Sequence, residues 1–148
     1  MKHRTLNLPS LCKWWGLLLT VLLMLDLPAS AESVAVVTHD LIPVTTLTRE
    51  EVADLFLGKR NITIKGLSLI PLDVNDEPLR EAFYQGVAEM SAMRVNAYWS
   101  RLVFSAQGRP PRKLPLAEAK SLVQSQPGMV TYVPDVSAAG FKILLRLP

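Results

Sequence analysis

The longest hydrophobic run of the chain lies near its start. Trp14–Leu25 is apolar except for one glycine and one threonine, basic residues precede it, and small residues follow at Ala29 and Ala31. This order is typical of a secretory signal peptide, so we expect residues 1–31 to be removed by cleavage after Ala31. A membrane anchor is the alternative, but a helix of this length spans only about 18 Å of the roughly 30 Å hydrocarbon core.

Behind residue 31 the hydrophobic spacing changes from segment to segment. Ser33–Thr38 is rich in β-branched residues and predicts a buried strand. Thr48–Glu51 has the sequence of a capping box, which predicts that a helix begins there, and Gly58 is expected to end that helix. Asn61–Asp73 predicts two strands joined by a turn at Lys65–Gly66. This half of the domain therefore mixes strands with a helix.

The segment that follows predicts two consecutive helices. Asp76 is the predicted N-cap of the first helix, because Pro78 is tolerated in a first turn and apolar residues recur at every fourth position behind it. Ser91 is the predicted cap of the second helix. The predicted apolar face of that helix consists of Val95, Tyr98, Trp99, Leu102 and Val103.

The last third of the chain continues the alternation of strands and helices. Gln107–Pro115 is rich in proline and basic residues and is predicted as a stiff loop, followed by a helix over Leu116–Gln124. Met129–Val133 and Phe141–Leu147 are predicted strands. Strands interleaved with helices predict an α/β fold, a three-layer sandwich with a mixed sheet, in a single domain over residues 32–148.

Removing residues 1–31 changes the charge balance. The full sequence carries 16 basic and 13 acidic side chains, whereas residues 32–148 keep 13 and 12, a net charge of +1, which does not favour binding to nucleic acid. Between Met90 and Ala117 there are basic residues and no acidic ones. This stretch is either a solvated surface or a basic face that attracts an anion or an acidic partner. The residues predicted for such an interaction face are Arg101, Arg109, Arg112 and Lys113.

The chain after residue 31 is poor in groups that carry catalysis or bind metals. It contains one histidine, His39, and no cysteine, so neither an enzyme nor a metal site is expected. The acidic residues from Asp73 to Glu81 lack the spacing of a calcium loop, and capping or a solvated surface explains them better. Glycine-rich phosphate loops do not occur, and no cofactor is expected. The helix start at Asp76 is a conceivable anion site, but its carboxylates favour a self-capped helix.

Five short motifs follow one another in a characteristic order. They lie at Thr48–Lys59, Ile70–Asp73, Leu79–Tyr84, Asn96–Phe104 and Gln126–Val133. In this combination the chain resembles the substrate-binding proteins of phosphate ABC transporters, as a short, single-lobe member of that family. The resemblance implies the fold of one lobe of a type 2 periplasmic binding protein. It also implies that Ser33–Thr38 and Phe141–Leu147 correspond to the two crossover strands.

The resemblance also draws attention to the start of the helix behind Asp73. Members of the family carry a Gly-Ser-Gly-Thr type loop there, whose amides and hydroxyls hold phosphate, whereas this chain has Asn75–Pro78. Because proline has no amide hydrogen and carboxylates replace hydroxyls, high-affinity phosphate binding of the family type is not expected. Arg80 matches an arginine of the family, and the candidate ligand-binding residues are Asn75, Asp76 and Arg80.

Two functions of different classes follow from these patterns. The first is an exported, periplasmic or secreted solute-binding-like protein of transport, with a small anion such as phosphate as its ligand. The second is a non-catalytic interaction or signalling module that docks onto an envelope or transporter protein through the basic face. Neither function involves nucleic acid or insertion into the membrane after signal cleavage.

Overall fold

The computed structural model describes residues 33–43 and 46–148. The predicted signal peptide and its cleavage after Ala31 lie outside the described residues. Residues 31–148 form one compact unit, and the buried side chains of the described residues form its hydrophobic core. Within this part of the chain, no helix has the length and the apolar character that crossing a bilayer requires.

Strands and helices alternate along the described residues as the spacing predicts. The strands are β1 (Val34–Thr38), β2 (Thr63–Ile64), β3 (Leu67–Ser68), β4 (Ile70–Val74), β5 (Arg112–Leu114), β6 (Met129–Pro134) and β7 (Lys142–Leu147). The α-helices are α1 (Arg49–Phe56), α2 (Glu77–Ala88), α3 (Ala92–Phe104) and α4 (Leu116–Ser125). A short 3-10 helix, Asp135–Ser137, joins β6 to β7.

Five of the strands form one mixed sheet in the order β5-β4-β6-β1-β7. β4 runs parallel to both β5 and β6, with Leu72 opposite Arg112 and Pro71 opposite Val130. β1 runs antiparallel to β6 and to β7, so the two predicted crossover strands are direct neighbours. The parallel pairs place the ends of β4 and β5 at the same edge of the sheet, next to the start of α2.

Helices cover both faces of this sheet. Along β1, Val34 and Val36 belong to the main core, to which α1 and α2 also contribute. Ala35 and Val37 point to the opposite face and form a smaller cluster, against which Leu116 of α4 packs. Alternation of this kind is expected for a strand buried on both sides. The predicted α/β three-layer architecture with a mixed sheet is confirmed.

The helix starts follow the local capping rules read from the sequence. Thr48 accepts a hydrogen bond from the amide of Glu51, whose carboxylate accepts from the amide of Thr48, which is a complete capping box. Asp76 accepts from the amide of Leu79 at the start of α2, and Ser91 caps α3 in the same way. These three predicted caps are confirmed.

Three local predictions differ from the structure. Lys65 and Gly66 form the predicted turn, but it joins only the short strands β2 and β3, and β4 begins separately at Ile70. The predicted loop over Gln107–Pro115 contains the strand β5, because its backbone pairs with β4. Val103 was expected on the apolar face of α3 but is 53% exposed.

Candidate functional site

A buried ion pair lies where β4 meets α2. Asp73 is the penultimate residue of β4, and Arg80 is in the second turn of α2. The guanidinium Nε of Arg80 donates to Oδ2 of Asp73 over 2.9 Å, and the two residues are only 2% and 4% exposed. Local capping or a solvated surface is therefore the wrong explanation for Asp73, because a carboxylate at this depth requires a charged partner.

Two tyrosines and a backbone amide complete the surroundings of Asp73. The hydroxyl of Tyr132 on β6 donates to Oδ1 of Asp73, and the amide of Val74 donates to the same oxygen over 3.0 Å. The hydroxyl of Tyr84 on α2 lies 3.5 Å from Oδ2. Tyr132 stacks on Phe83, with the ring centroids 3.9 Å apart, so the rings also fix the positions of the hydroxyls. The carboxylate is therefore fully engaged by groups of its own domain.

Burial and charge together set the protonation of this cluster. Burial lowers the pKa of Arg80, but the hydrogen bond to Asp73 and its negative charge outweigh burial, so the net shift of that pKa is upward. Burial, and then the nearby charge of Asp73, raises the pKa of Tyr84 and of Tyr132 above its ordinary value. Both tyrosines thus stay protonated and remain hydrogen-bond donors at neutral pH.

The other end of the Arg80 guanidinium reaches α3. Nη2 donates to Oδ1 of Asn96 over 2.9 Å, and Nη1 donates to the carbonyl of Ala92 over 3.4 Å. The described residues therefore provide hydrogen-bond acceptors for three of the five N–H groups that an arginine carries. Glu77 of α2 lies 3.9 Å from Nη1 and is mostly exposed. Arg80 joins β4, α2 and α3 in one polar network.

The other two candidate ligand residues lie at the exposed start of α2. The backbone amide of Asn75 donates to the backbone carbonyl of Leu114 over 3.0 Å, and the side chain of Asn75 is exposed. Asp76 is the N-cap of α2, and its carboxylate accepts a hydrogen bond from the amide of Leu79 over 3.1 Å. The structure thus brings Asn75, Asp76 and Arg80 to one end of α2, but Asp76 is committed to capping and Arg80 to Asp73.

A cavity of about 590 Å³ adjoins this network between α3 and the segment 110–113, which leads into β5. We call it the edge cavity, because β5 is one of the two edge strands of the five-stranded sheet. Its polar lining residues are Asp73, Arg80, Asn96, Ser100 and Lys113. Its apolar lining residues are Trp99, Val103, Phe104, Pro110 and Pro111. Its size is in the range of sites for small organic ligands.

The four residues predicted for a basic interaction face are not equivalent. Arg112 contacts Glu118 over 3.1 Å, and Lys113 contacts Glu77 over 3.4 Å. Arg101 and Arg109 are exposed and have no carboxylate partner among the described residues. Within residues 33–43 and 46–148, no three His, Cys, Asp or Glu side chains are grouped so that they could hold a metal ion.

Sequence reasoning missed three members of the network. Tyr132 lies in an apolar strand, Tyr84 lies beside the core stripe of α2, and Asn96 lies on α3. One signal was available for Tyr132, since a polar atom within a buried strand needs a partner. Its partner Asp73 lies 59 positions earlier in the chain, and only the pairing of β4 with β6 makes them neighbours.

Comparison with known proteins supports the fold. No family model matches the chain, and no curated protein matches it. Among solved structures, a phosphate ABC transporter substrate-binding protein from Clostridium perfringens, solved with bound phosphate, is 18% identical, with a TM-score of 0.58. An ABC-type phosphate transport receptor from Vibrio cholerae is 16% identical, also with a TM-score of 0.58.

In both comparisons the matched region is 77% of this chain but only 45% and 46% of the other proteins. The chain therefore spans less than half of the length of the solved structures that it matches. The predicted resemblance to a single lobe is confirmed at the level of the fold. The described residues have the fold of one lobe of a phosphate ABC transporter substrate-binding protein.

Proposed function

We propose that this protein is an extracytoplasmic, solute-binding-like module related to phosphate ABC transporter substrate-binding proteins, and that it binds a small anion without transforming it. The observation that carries the proposal is the fold shared with one lobe of proteins that bind or transport phosphate. The predicted signal peptide over residues 1–31 supports a place outside the cytoplasm.

The start of α2 argues for weak rather than tight anion binding. Asp76 already accepts from the amide of Leu79, and Pro78 has no amide hydrogen to offer. The carboxylates of Asp76 and Glu77 also repel an anion from the positive end of the helix dipole. We therefore expect the affinity for a small anion at this site to be in the millimolar range.

The melting temperature of the domain in phosphate tests this proposal. An ion with a Kd of about 1 mM, added at about 10 mM, stabilises the folded state by about 1.4 kcal/mol and raises the melting temperature by roughly 3–6 °C. Chloride at the same ionic strength is the control for general salt effects. A melting temperature that is the same in phosphate, sulfate and chloride would contradict anion binding.

A second candidate function is docking to another envelope protein through the basic face. The observation that favours it is that the exposed Arg101 and Arg109 have no carboxylate partner in the described part of the chain, and that Val103 and Phe104 nearby are exposed as well. Exposed arginines beside exposed apolar side chains are typical of protein interfaces.

A further inference from the structure

The edge cavity combines one charged end with one apolar end. Arg80 and Lys113 contribute two positive charges to its lining and Asp73 contributes one negative charge. The charge of Asp73 is already compensated, because Arg80, Tyr132 and Val74 all donate to its carboxylate. The positive charge that lies outside the Asp73 network is that of Lys113, which pairs with the exposed carboxylate of Glu77.

The side chains of Arg80 and Lys113 differ in how firmly their surroundings fix them. Arg80 is buried to 98% and fixed by Asp73 and Asn96, and one N–H on each of its Nη atoms has no hydrogen-bond acceptor among the described residues. Lys113 pairs with Glu77 over 3.4 Å, but these side chains are 39% and 60% exposed. Exposed pairs of this kind contribute little to stability, because water screens their charges. Lys113 is thus free to turn towards an anion at little cost.

The opposite wall of the edge cavity is apolar and open to water. Val103 is 53% exposed and Phe104 is 94% exposed, although both are large hydrophobic residues. Pro110, Pro111 and Trp99 also contribute to the lining of the cavity. An apolar group that covers Val103 and Phe104 is expected to bind favourably, because it removes apolar surface from water.

We propose that the edge cavity binds an amphipathic carboxylate, with its charge towards Lys113 and Arg80 and its apolar body against Val103, Phe104 and the two prolines. The inference rests on the proposed solute-binding function and names the class of ligand. Inorganic phosphate matches this cavity less well, because the side chains of Val103, Phe104, Pro110 and Pro111 offer no hydrogen bond to an oxyanion. The ring or short chain of an organic carboxylate would place carbon atoms against these four residues.

Trp99 provides a built-in reporter for this test. It lines the edge cavity and is the sole tryptophan of residues 31–148, since the other two are Trp14 and Trp15. Residues 31–148 form a compact unit, so they are suitable as an isolated domain. The domain is titrated with cyclohexanecarboxylate, which does not absorb near 280 nm. Tryptophan emission and calorimetry follow binding, and amide chemical shifts of Asn96, Ser100 and Val103 locate it.

Three further compounds separate charge from apolar body. Acetate has the charge without the ring, cyclohexanecarboxamide has the ring without the charge, and phosphate is the anion of the parent proposal. We expect saturable binding of cyclohexanecarboxylate in the millimolar range, and at least about tenfold weaker binding of acetate and of the amide. Equal binding of the amide, or of acetate, would overturn the inference, as would shifts confined to residues outside the edge cavity.

Two surface variants keep the test independent of folding. Lys113→Gln is expected to weaken cyclohexanecarboxylate about tenfold, and Phe104→Ser about fivefold. Lys65→Gln, which removes the same charge at an exposed turn, is the matched control and is expected to bind as the wild type does. Unchanged affinity in both cavity variants would overturn the inference.

The two proposals fail in different ways. Stabilisation by phosphate without binding of cyclohexanecarboxylate would leave the solute-binding function standing and remove the edge cavity as its site. Binding of neither compound, by calorimetry and by melting temperature, would remove both proposals.

Discussion

Asp73 is the residue that organises the polar interior of this domain. It accepts hydrogen bonds from a side chain of α2, a side chain of β6 and the next backbone amide. Removing one partner of a buried ion pair costs about 3–5 kcal/mol, because the other charge stays buried without compensation. Asp73 and Arg80 therefore act as one structural unit.

The tyrosines allow this unit to be tested without removing a charge. Tyr132→Phe removes a hydroxyl that donates to the Asp73 carboxylate, and we expect the free energy of unfolding to fall by about 1.5–3 kcal/mol. Tyr84→Phe is the matched control, because its hydroxyl lies 3.5 Å from the same carboxylate, at the limit of a hydrogen bond. Urea unfolding measures the free energy of unfolding of both variants. An equal decrease in the two variants would contradict a stronger hydrogen bond from Tyr132 than from Tyr84.

The same hydroxyls are expected to make stability fall at high pH. Burial and the charge of Asp73 raise the pKa of Tyr84 and of Tyr132, so the folded state keeps protons that the unfolded state releases above about pH 10. The contribution of the two tyrosines to the free energy of unfolding is complete below pH 10. It decreases as the pH rises further, by about 1.4 kcal/mol per pH unit for each tyrosine.

Urea unfolding between about pH 9 and 11 checks this pH dependence. The wild type is expected to lose stability more steeply than Tyr132→Phe, which has one such proton fewer. Identical slopes in the two proteins would show that Tyr132 does not contribute. Other groups that titrate in this range affect both proteins alike and cancel in the comparison.

At the scale of elements, capping and turns set where each helix begins and ends. The end of α1 depends on Gly58, whose φ of +67° lies in the left-handed region. A Cβ atom at this position would lie 2.8 Å from Cη2 of Trp99, which is closer than the two atoms can approach. Gly58 thus ends the helix and also makes room for a core side chain of α3.

A pair of glycine substitutions separates these two roles. Gly66 also has a positive φ, +85°, but a Cβ there would meet no atom within 4 Å. We expect Gly66→Ala to cost about 1 kcal/mol through backbone strain, and Gly58→Ala to cost about 2–4 kcal/mol through strain and overpacking. Denaturant unfolding of both variants measures the difference. Equal losses would mean that the contact with Trp99 relaxes freely.

At the scale of the whole molecule, the distribution of charge determines which basic residues are available for docking. Basic residues cluster in the sequence between Met90 and Ala117, but Glu118 pairs with Arg112 and Glu77 pairs with Lys113. Arg101 and Arg109 have no such partner among the described residues, and they are the residues on which docking would depend.

Docking through this surface predicts a charge-dependent and position-dependent interaction. The double variant Arg101→Ser/Arg109→Ser is expected to lose capture of an envelope protein by the immobilised domain, since two desolvated contacts are removed. Lys59→Ser/Lys65→Ser changes the net charge equally and is expected to retain capture. Equal capture by the wild type and both variants, at low and at physiological salt, would contradict docking through these arginines.

The sequence predicted most of the fold but only part of the candidate site. It predicted the caps at Thr48, Asp76 and Ser91, because each cap bonds an amide three positions away. It did not predict β5, because a strand of three residues in a proline-rich segment forms only through pairing with β4. The candidate residue Arg80 was found by resemblance, but its role as partner of Asp73 was not.

The sequence by itself determined the fold class and the segments that form helices and strands, since these depend on apolar spacing and on hydrogen bonds within a few residues. The tertiary structure decided which polar residues meet. The side chains that bond to Asp73 are those of Arg80, Tyr84 and Tyr132, which lie 7, 11 and 59 positions away in the chain. Lys113 contacts Glu77, which lies 36 positions away. It also left Val103 and Phe104 exposed beside a cavity that charged side chains line. Contacts of this range follow from the order of strands in the sheet, which no local pattern specifies.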